Sequence, residues 1–139
     1  MARTVNEVMT HDPVVVEPST TLTEAARFMR DSDVGPLLVA EGGSLTGIVT
    51  DRDIVVRAIA DGRDPSSTKV SDVVTGSVTT VTPDQSASDA ARIMREQDVR
   101  RLPVVQDGRP VGIVAIGDLA VELDDESALA DISASSPNN

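Results

Sequence analysis

The sequence predicts an α/β fold built from two copies of one β-α-β-β-α unit. Three observations carry this expectation. Val5 and Val70 begin segments that match without a gap at an offset of 65 residues, through Asp53 and Asp118. Short β-rich runs alternate with an amphipathic helical run in each copy. Each copy also carries a glycine hairpin signal before its last strand. Pro18 meets Pro83, Ala25-Ala26-Arg27 meets Ala90-Ala91-Arg92, and Gly47-Ile48-Val49 meets Gly112-Ile113-Val114. A match of this length marks a tandem duplication.

Within each copy the elements follow in the same order. Val5–Met9 and Val70–Val74 are apolar segments long enough for a turn of helix. Val14–Val16 and Val78–Val81 are β-rich runs, each followed by a proline that stops it. Thr21-Leu22-Thr23-Glu24 and Ser86-Ala87-Ser88-Asp89 are capping boxes that start a helix. Leu22, Ala25, Ala26 and Met29 then share one helical face, repeated by Ala87, Ala90, Ala91 and Met94. This is a core face, and its paired alanines allow close approach to a sheet. Leu37–Ala40 and Leu45–Thr50 are strands joined by Glu41-Gly42-Gly43-Ser44. Leu102–Val105 and Val111–Ala115 are joined by Gln106-Asp107-Gly108-Arg109. A closing helix starts near Arg52 and near Gly117. The boundaries are 5–62 for the first repeat, 63–69 for a linker within the Gly-, Pro- and Ser-bearing stretch Ala60–Lys69, and 70–124 for the second. Residues 125–139 form an acidic, Ser-rich tail expected to be disordered. Neither copy alone is large enough to bury both faces of its sheet.

Composition narrows the function. The chain has 139 residues, 40% of them apolar, and Phe28 is the only aromatic. It has no cysteine, which excludes disulfides, thiolate metal sites and a cysteine nucleophile, and suits a reducing compartment. A formal net charge of −11 argues against nucleic acid as a partner, and the missing aromatics remove stacking platforms for single strands. No signal-peptide pattern opens the sequence, and no apolar run approaches the roughly 20 residues of a membrane span. The expectation is a soluble cytoplasmic protein without membrane association. His11, the only histidine, sits in the loop Thr10–Pro13 without a second histidine to share a metal. Asp124-Asp125-Glu126 reads as a solvated carboxylate run. Arg27, Arg30, Arg92 and Arg95 read as helix exteriors. No nucleophile with its base, no phosphate loop with lysine and no metal cluster is present, so the expectation is a protein that is not an enzyme.

The stretch with most chemistry is Gly47-Ile-Val-Thr-Asp-Arg-Asp53. It reads as a strand entering a helix, where free backbone N–H groups can hold an anion. Thr50 offers a hydroxyl, and Asp53 a carboxylate suited to two vicinal hydroxyls of a ribose. Thr-x-x-Asp is equally a capping box that only closes the helix end. Both readings stand on these residues alone.

The duplicated pattern resembles a tandem pair of CBS domains, the regulatory module named after cystathionine β-synthase, over about residues 5–124. The residues that carry the resemblance are the Val-x-x-Val-Met-Thr opening, Arg100-Arg101-Leu102-Pro103-Val104, and Gly-Ile-Val-Thr-x-x-Asp in the first copy. The resemblance implies two repeats packed by pseudo-twofold symmetry through their sheets, often as homodimers. It also implies an adenosine-containing ligand in the cleft between the repeats: AMP first, then ADP or ATP, with S-adenosylmethionine or NAD as alternatives, and no required cofactor. Thr50 and Asp53 match the family's ribose- and phosphate-binding pair. Asp118 matches in the second copy, but Ala115 replaces the threonine and Gly117 stands where the first copy has Arg52, a further possible contact. A better site at the first motif is therefore expected. Arg100 and Arg101 align with the family's basic pair, which the resemblance implies reaches ligand phosphates across the domain cleft, and Pro103 belongs to the same motif. Guanidinium forks suit phosphate oxygens, although arginines after a helix also satisfy its negative end. Val14–Val16 and Val34–Leu37, with Gly35 and Pro36, would wall the adenine. The implied function is a non-catalytic sensor that transmits ligand binding to a separate, unknown protein effector. The alternative is a dimerisation or scaffold module with no nucleotide.

Overall fold

The structure, a computed structural model, describes residues 3–76 and 78–123. The acidic run from Asp124 and the tail expected over 125–139 lie outside the described residues. The chain forms two compact α/β units. One takes Pro13–Val78 with Gly108–Pro110; the other takes the residues up to Asp12, Thr79–Asp107 and those from Val111 on.

The first unit holds strand β2 (Val15–Val16), helix α2 (Leu22–Ser32), β3 (Pro36–Glu41), β4 (Ser44–Thr50) and α3 (Asp51–Ile54), which continues as a π-helical turn over Val55–Ile59. The sheet order is β2-β3-β4, with β2 parallel and β4 antiparallel to β3. Thr21 caps α2 through the reciprocal box with Glu24. Asp33 ends the helix in the left-handed conformation, a role that Asp tolerates because its short side chain can bond locally. Gly42 and Gly43 both have positive φ, as the type I′ hairpin that joins β3 to β4 requires. Leu22, Ala25 and Met29 bury their face against Leu37, Val39 and Val49. Ala26, expected on that face, is exposed. One position round from Ala25, it falls off the edge of a stripe that Leu22, Ala25 and Met29 already fill.

The other unit holds α1 (Val5–Val8), β1 (Thr10–His11), α4 (Ala87–Gln97), β5 (Arg101–Gln106), β6 (Arg109–Ala115, whose first two residues belong to the first unit) and α5 (Ile116–Leu123). Its sheet order is β1-β6-β5. Ala87, Ala90 and Met94 repeat the helix stripe over Leu102, Val104 and Val114. Three expectations change here. His11 lies not in a loop but in β1, paired antiparallel with β6, and its Nε2 is 3.0 Å from the Asn6 carbonyl. Ser86 caps α4 by accepting the Asp89 N–H at 3.0 Å, yet the box is only half made, because Gln85 and Arg92 occupy the Asp89 carboxylate. Val78–Val81 is not a strand; Val81 alone bridges to Val104. In the first unit the Leu38 N–H donates to the Val14 carbonyl at 3.0 Å. The residue matching Leu38 is Pro103, which has no N–H to give.

Each repeat's opening segment folds with the other repeat. Val70 and Val73 are buried in the first unit's core, and Val70–Asp72 forms a single 3-10 turn there. Val5 and Met9 are buried in the core of the other unit. Thr75 bridges to Ile48 as Thr10 pairs with Ile113. The two glycines expected at the head of each motif make this possible. A Cβ on Gly47 would stand 2.6 Å from the Thr75 carbonyl oxygen, and one on Gly112 would stand 2.8 Å from that of Thr10. Real Cβ atoms do not come so close, so the crossing needs glycine.

Candidate functional site

Thr50 ends β4 opposite Pro36. Its oxygen accepts the Asp53 N–H at 3.1 Å, while its own N–H donates to Asp53 Oδ2 at 2.9 Å. The capping box is therefore fully formed. It leaves the Thr50 hydroxyl proton and Asp53 Oδ1 without a hydrogen bond among the described residues. The Asp53 side chain is only 17% exposed, and Arg57 Nε stands 3.9 Å from Oδ1.

The neighbouring candidates in this unit converge on the same sheet edge. The Gly35 carbonyl accepts the Asp51 N–H at 3.0 Å, and a Cβ on Gly35 would lie 3.3 Å from Asp51 Oδ1. Val14 and Val34 are half-buried against the core. Arg52 is exposed; its N–H is held by Asp51 Oδ1 at 2.9 Å, and its guanidinium has no partner among the described residues. The edge thus offers a hydroxyl, a carboxylate oxygen without a hydrogen bond and an exposed cation, Arg52, beside an apolar wall. Such a set can grip a diol and one charged group, but holds no paired acid and base.

The other unit repeats the arrangement with different charge. Asp118 Oδ2 accepts the Ala115 N–H at 2.9 Å, so only half a capping box exists where threonine is missing. Arg100 and Arg101 are exposed, and the Arg100 carbonyl accepts the Ile116 N–H at 2.9 Å. Their guanidinium groups make no hydrogen bond or ion pair among the described residues. The Arg100 backbone bond to Ile116 places the pair beside the second motif of their own unit. Pro103 is buried, and its carbonyl accepts the Val81 N–H at 3.1 Å, which makes it part of the sheet. Among the described residues no three His, Asp or Glu side chains gather as a metal site, and no helix is long and apolar enough to cross a membrane.

One residue of the site escaped the sequence analysis. Arg57 follows Asp53 at i, i+4, the spacing of helical ion pairs, and that spacing was the available signal.

The CBS domain pattern matches residues 5–59 and 70–125, most of the chain. The chain belongs to the CBS domain family. It is 43% identical over 125 residues to the CBS domain-containing protein YhcV of Bacillus subtilis, a match covering 89% of each chain. It is 36% identical over 121 residues to hypoxic response protein 1 of Mycobacterium tuberculosis, covering 86% of this chain and 85% of that one. Among solved structures, it resembles the CBS domain pair of protein MJ0100 in complex with 5′-methylthioadenosine and S-adenosyl-L-methionine. That likeness has a TM-score of 0.78 at 25% identity and covers 87% of this chain and 99% of the other. The two α/β repeats expected from the sequence are thus those of a CBS pair.

Proposed function

We propose that this CBS pair is a non-catalytic sensor that binds an adenosine-containing ligand and passes the event to a separate protein. The observation that carries the reading is the state of Thr50 and Asp53: after closing the helix cap, each keeps a free polar group at the same strand end. Asp53 Oδ1 accepts from the ribose hydroxyls, and the Thr50 hydroxyl serves the ribose or a phosphate. Val14, Val34, Gly35 and Pro36 flank the adenine, and the exposed Arg52 is a further contact for the ligand's charged group. Arg100 and Arg101 serve phosphate oxygens, and Asp118 makes a weaker counterpart to Asp53. Related MJ0100 binds two adenosine compounds, which supports the ligand class. AMP is the first candidate, followed by ADP, ATP, S-adenosylmethionine and NAD. The working form is a cytoplasmic homodimer. A ligand acts on the partner only through its differential affinity for two states of the protein.

A second reading has its own observation. The capping box is complete without a ligand, and Val55, Val56 and Ile59 are exposed just beyond it. In this reading the protein is a dimerisation or scaffold module with no nucleotide.

Thermal unfolding with the five ligands, on wild type and Asp53→Ala, separates the two. A ligand at a hundredfold its dissociation constant stabilises by about 2.7 kcal/mol, roughly 5–10 °C for a domain of this size. The sensor reading expects that shift in wild type and its loss in Asp53→Ala. No shift with any of the five favours the scaffold.

A further inference from the structure

The two oxygens of Asp53 have different surroundings. Oδ2 is fixed by the Thr50 N–H. Oδ1, the one left for a ligand, has the Arg57 guanidinium as its charged neighbour, with Nε 3.9 Å away. That distance is an ion pair without a hydrogen bond, so Oδ1 keeps its lone pairs available. The same guanidinium donates from Nη1 to the Val73 carbonyl at 3.2 Å. Val73 is 2% exposed and lies in the segment that enters this unit from the second repeat. Arg57 therefore touches the motif carboxylate with one nitrogen and the exchanged segment with another. The matching position in the second repeat is Glu122, of the opposite charge.

We propose that Arg57 is a positioning residue for the ribose-gripping carboxylate and links its occupancy to the segment Val70–Thr75. The proposal rests on the nucleotide reading above. With Oδ2 tied to the backbone, the remaining freedom of the carboxylate is the tilt of Oδ1. A guanidinium anchored on a buried carbonyl restrains that tilt and keeps the negative charge in place. Hydroxyl donors arriving at Oδ1 draw on the same charge that holds Arg57. The guanidinium then leans more on its other acceptor, Val73, which tightens the segment that pairs with β4 at Ile48.

The test combines titration calorimetry and amide hydrogen exchange, using AMP and S-adenosylmethionine as probes on wild type, Arg57→Ala, Arg57→Lys and Asp53→Ala. Losing a partly exposed ion pair should weaken binding about threefold to fivefold in Arg57→Ala. Arg57→Lys, which keeps the charge, should stay within about twofold of wild type. Ligand should slow exchange across Val73–Thr75 in wild type and leave it unchanged in Arg57→Ala. Equal affinity of Arg57→Ala and wild type overturns the proposal, as does equal loss in the Ala and Lys variants. If neither probe, nor ADP, ATP or NAD, binds wild type, the nucleotide reading itself fails and takes the proposal with it. If Asp53→Ala abolishes binding and Arg57→Ala does not weaken it, only the positioning role fails.

Discussion

Ile48 and Thr75 exchange two backbone hydrogen bonds, each 3.1 Å long. The residue beside Ile48 is Gly47, whose missing side chain leaves the space that Val74 and Thr75 occupy. The pairing of the exchanged segment with β4 thus depends on one absent methyl group.

Gly47→Ala should therefore cost about 1–3 kcal/mol, the usual range for overpacking, because part of what the new Cβ meets is backbone. Gly112→Ala should cost about as much. The Met9 sulfur at 2.6 Å can move aside, but the Thr10 carbonyl oxygen at 2.8 Å is backbone and cannot. Gly117→Ala is the control. It lies in α5 with nothing within 4 Å of a Cβ, so it should stabilise by up to about 1 kcal/mol. Urea unfolding midpoints decide all three.

Val5→Ala and Val70→Ala should each destabilise by about 1.5–3 kcal/mol, since both side chains are fully buried. The informative readout is where the loss appears. Hydrogen exchange should speed up in the β5 and β6 amides for Val5→Ala, and in those of β3 and β4 for Val70→Ala, the reverse of what sequence proximity suggests.

Ala115→Thr should complete the cap that Asp118 only half makes. A restored N-cap is worth about 0.5–2 kcal/mol in the ligand-free protein. If the second motif also takes a nucleotide, the added hydroxyl should improve affinity there roughly threefold to tenfold. Thermal unfolding measures the first effect and calorimetry the second.

Acid should weaken the helix starts. Hydrogen bonds from the Thr21 backbone and then its side chain lower the Glu24 pKa, and Thr4 does the same for Glu7. A carboxyl depressed by folding adds stability above its unfolded value, and that contribution is lost as pH falls through the folded value. The decline should run downward from the ordinary glutamate range near pH 4.3. Glu24→Gln keeps an acceptor in the box and removes the titration. Its melting temperature should fall less than that of wild type between pH 5 and pH 3.

The repeat made most of the fold legible. Thr21, Ser86, the Gly42-Gly43 turn and the Asp107-Gly108 turn set the elements, and the structure puts helices and hairpins at those positions. Local signals of this kind act within a few residues, so the sequence displays them. The destination of Val5 and Val70 was not legible. Both segments look alike, and nothing local distinguishes packing on one's own repeat from packing on the other. The loss of the Val78–Val81 strand could have been read from Pro103, but only by aligning it with Leu38 and asking which N–H the ladder needs. At the candidate site, Thr50 and Asp53 were legible as a pair, whereas the role of Pro103 as a buried sheet residue and the reach of Arg57 to Val73 depend on contacts far along the chain.

The exchange of opening segments changes what a cut between the repeats would do. A protease that nicks the peptide near Gly62 would not release two autonomous halves. The N-terminal fragment would carry Val5 and Met9 away from the core they fill, and the C-terminal fragment would carry Val70 and Val73 from theirs. Each fragment alone would be missing a wedge of its interior. The two fragments mixed together would supply each other's missing piece, so the nicked protein should behave as a heterodimer whose folding depends on concentration.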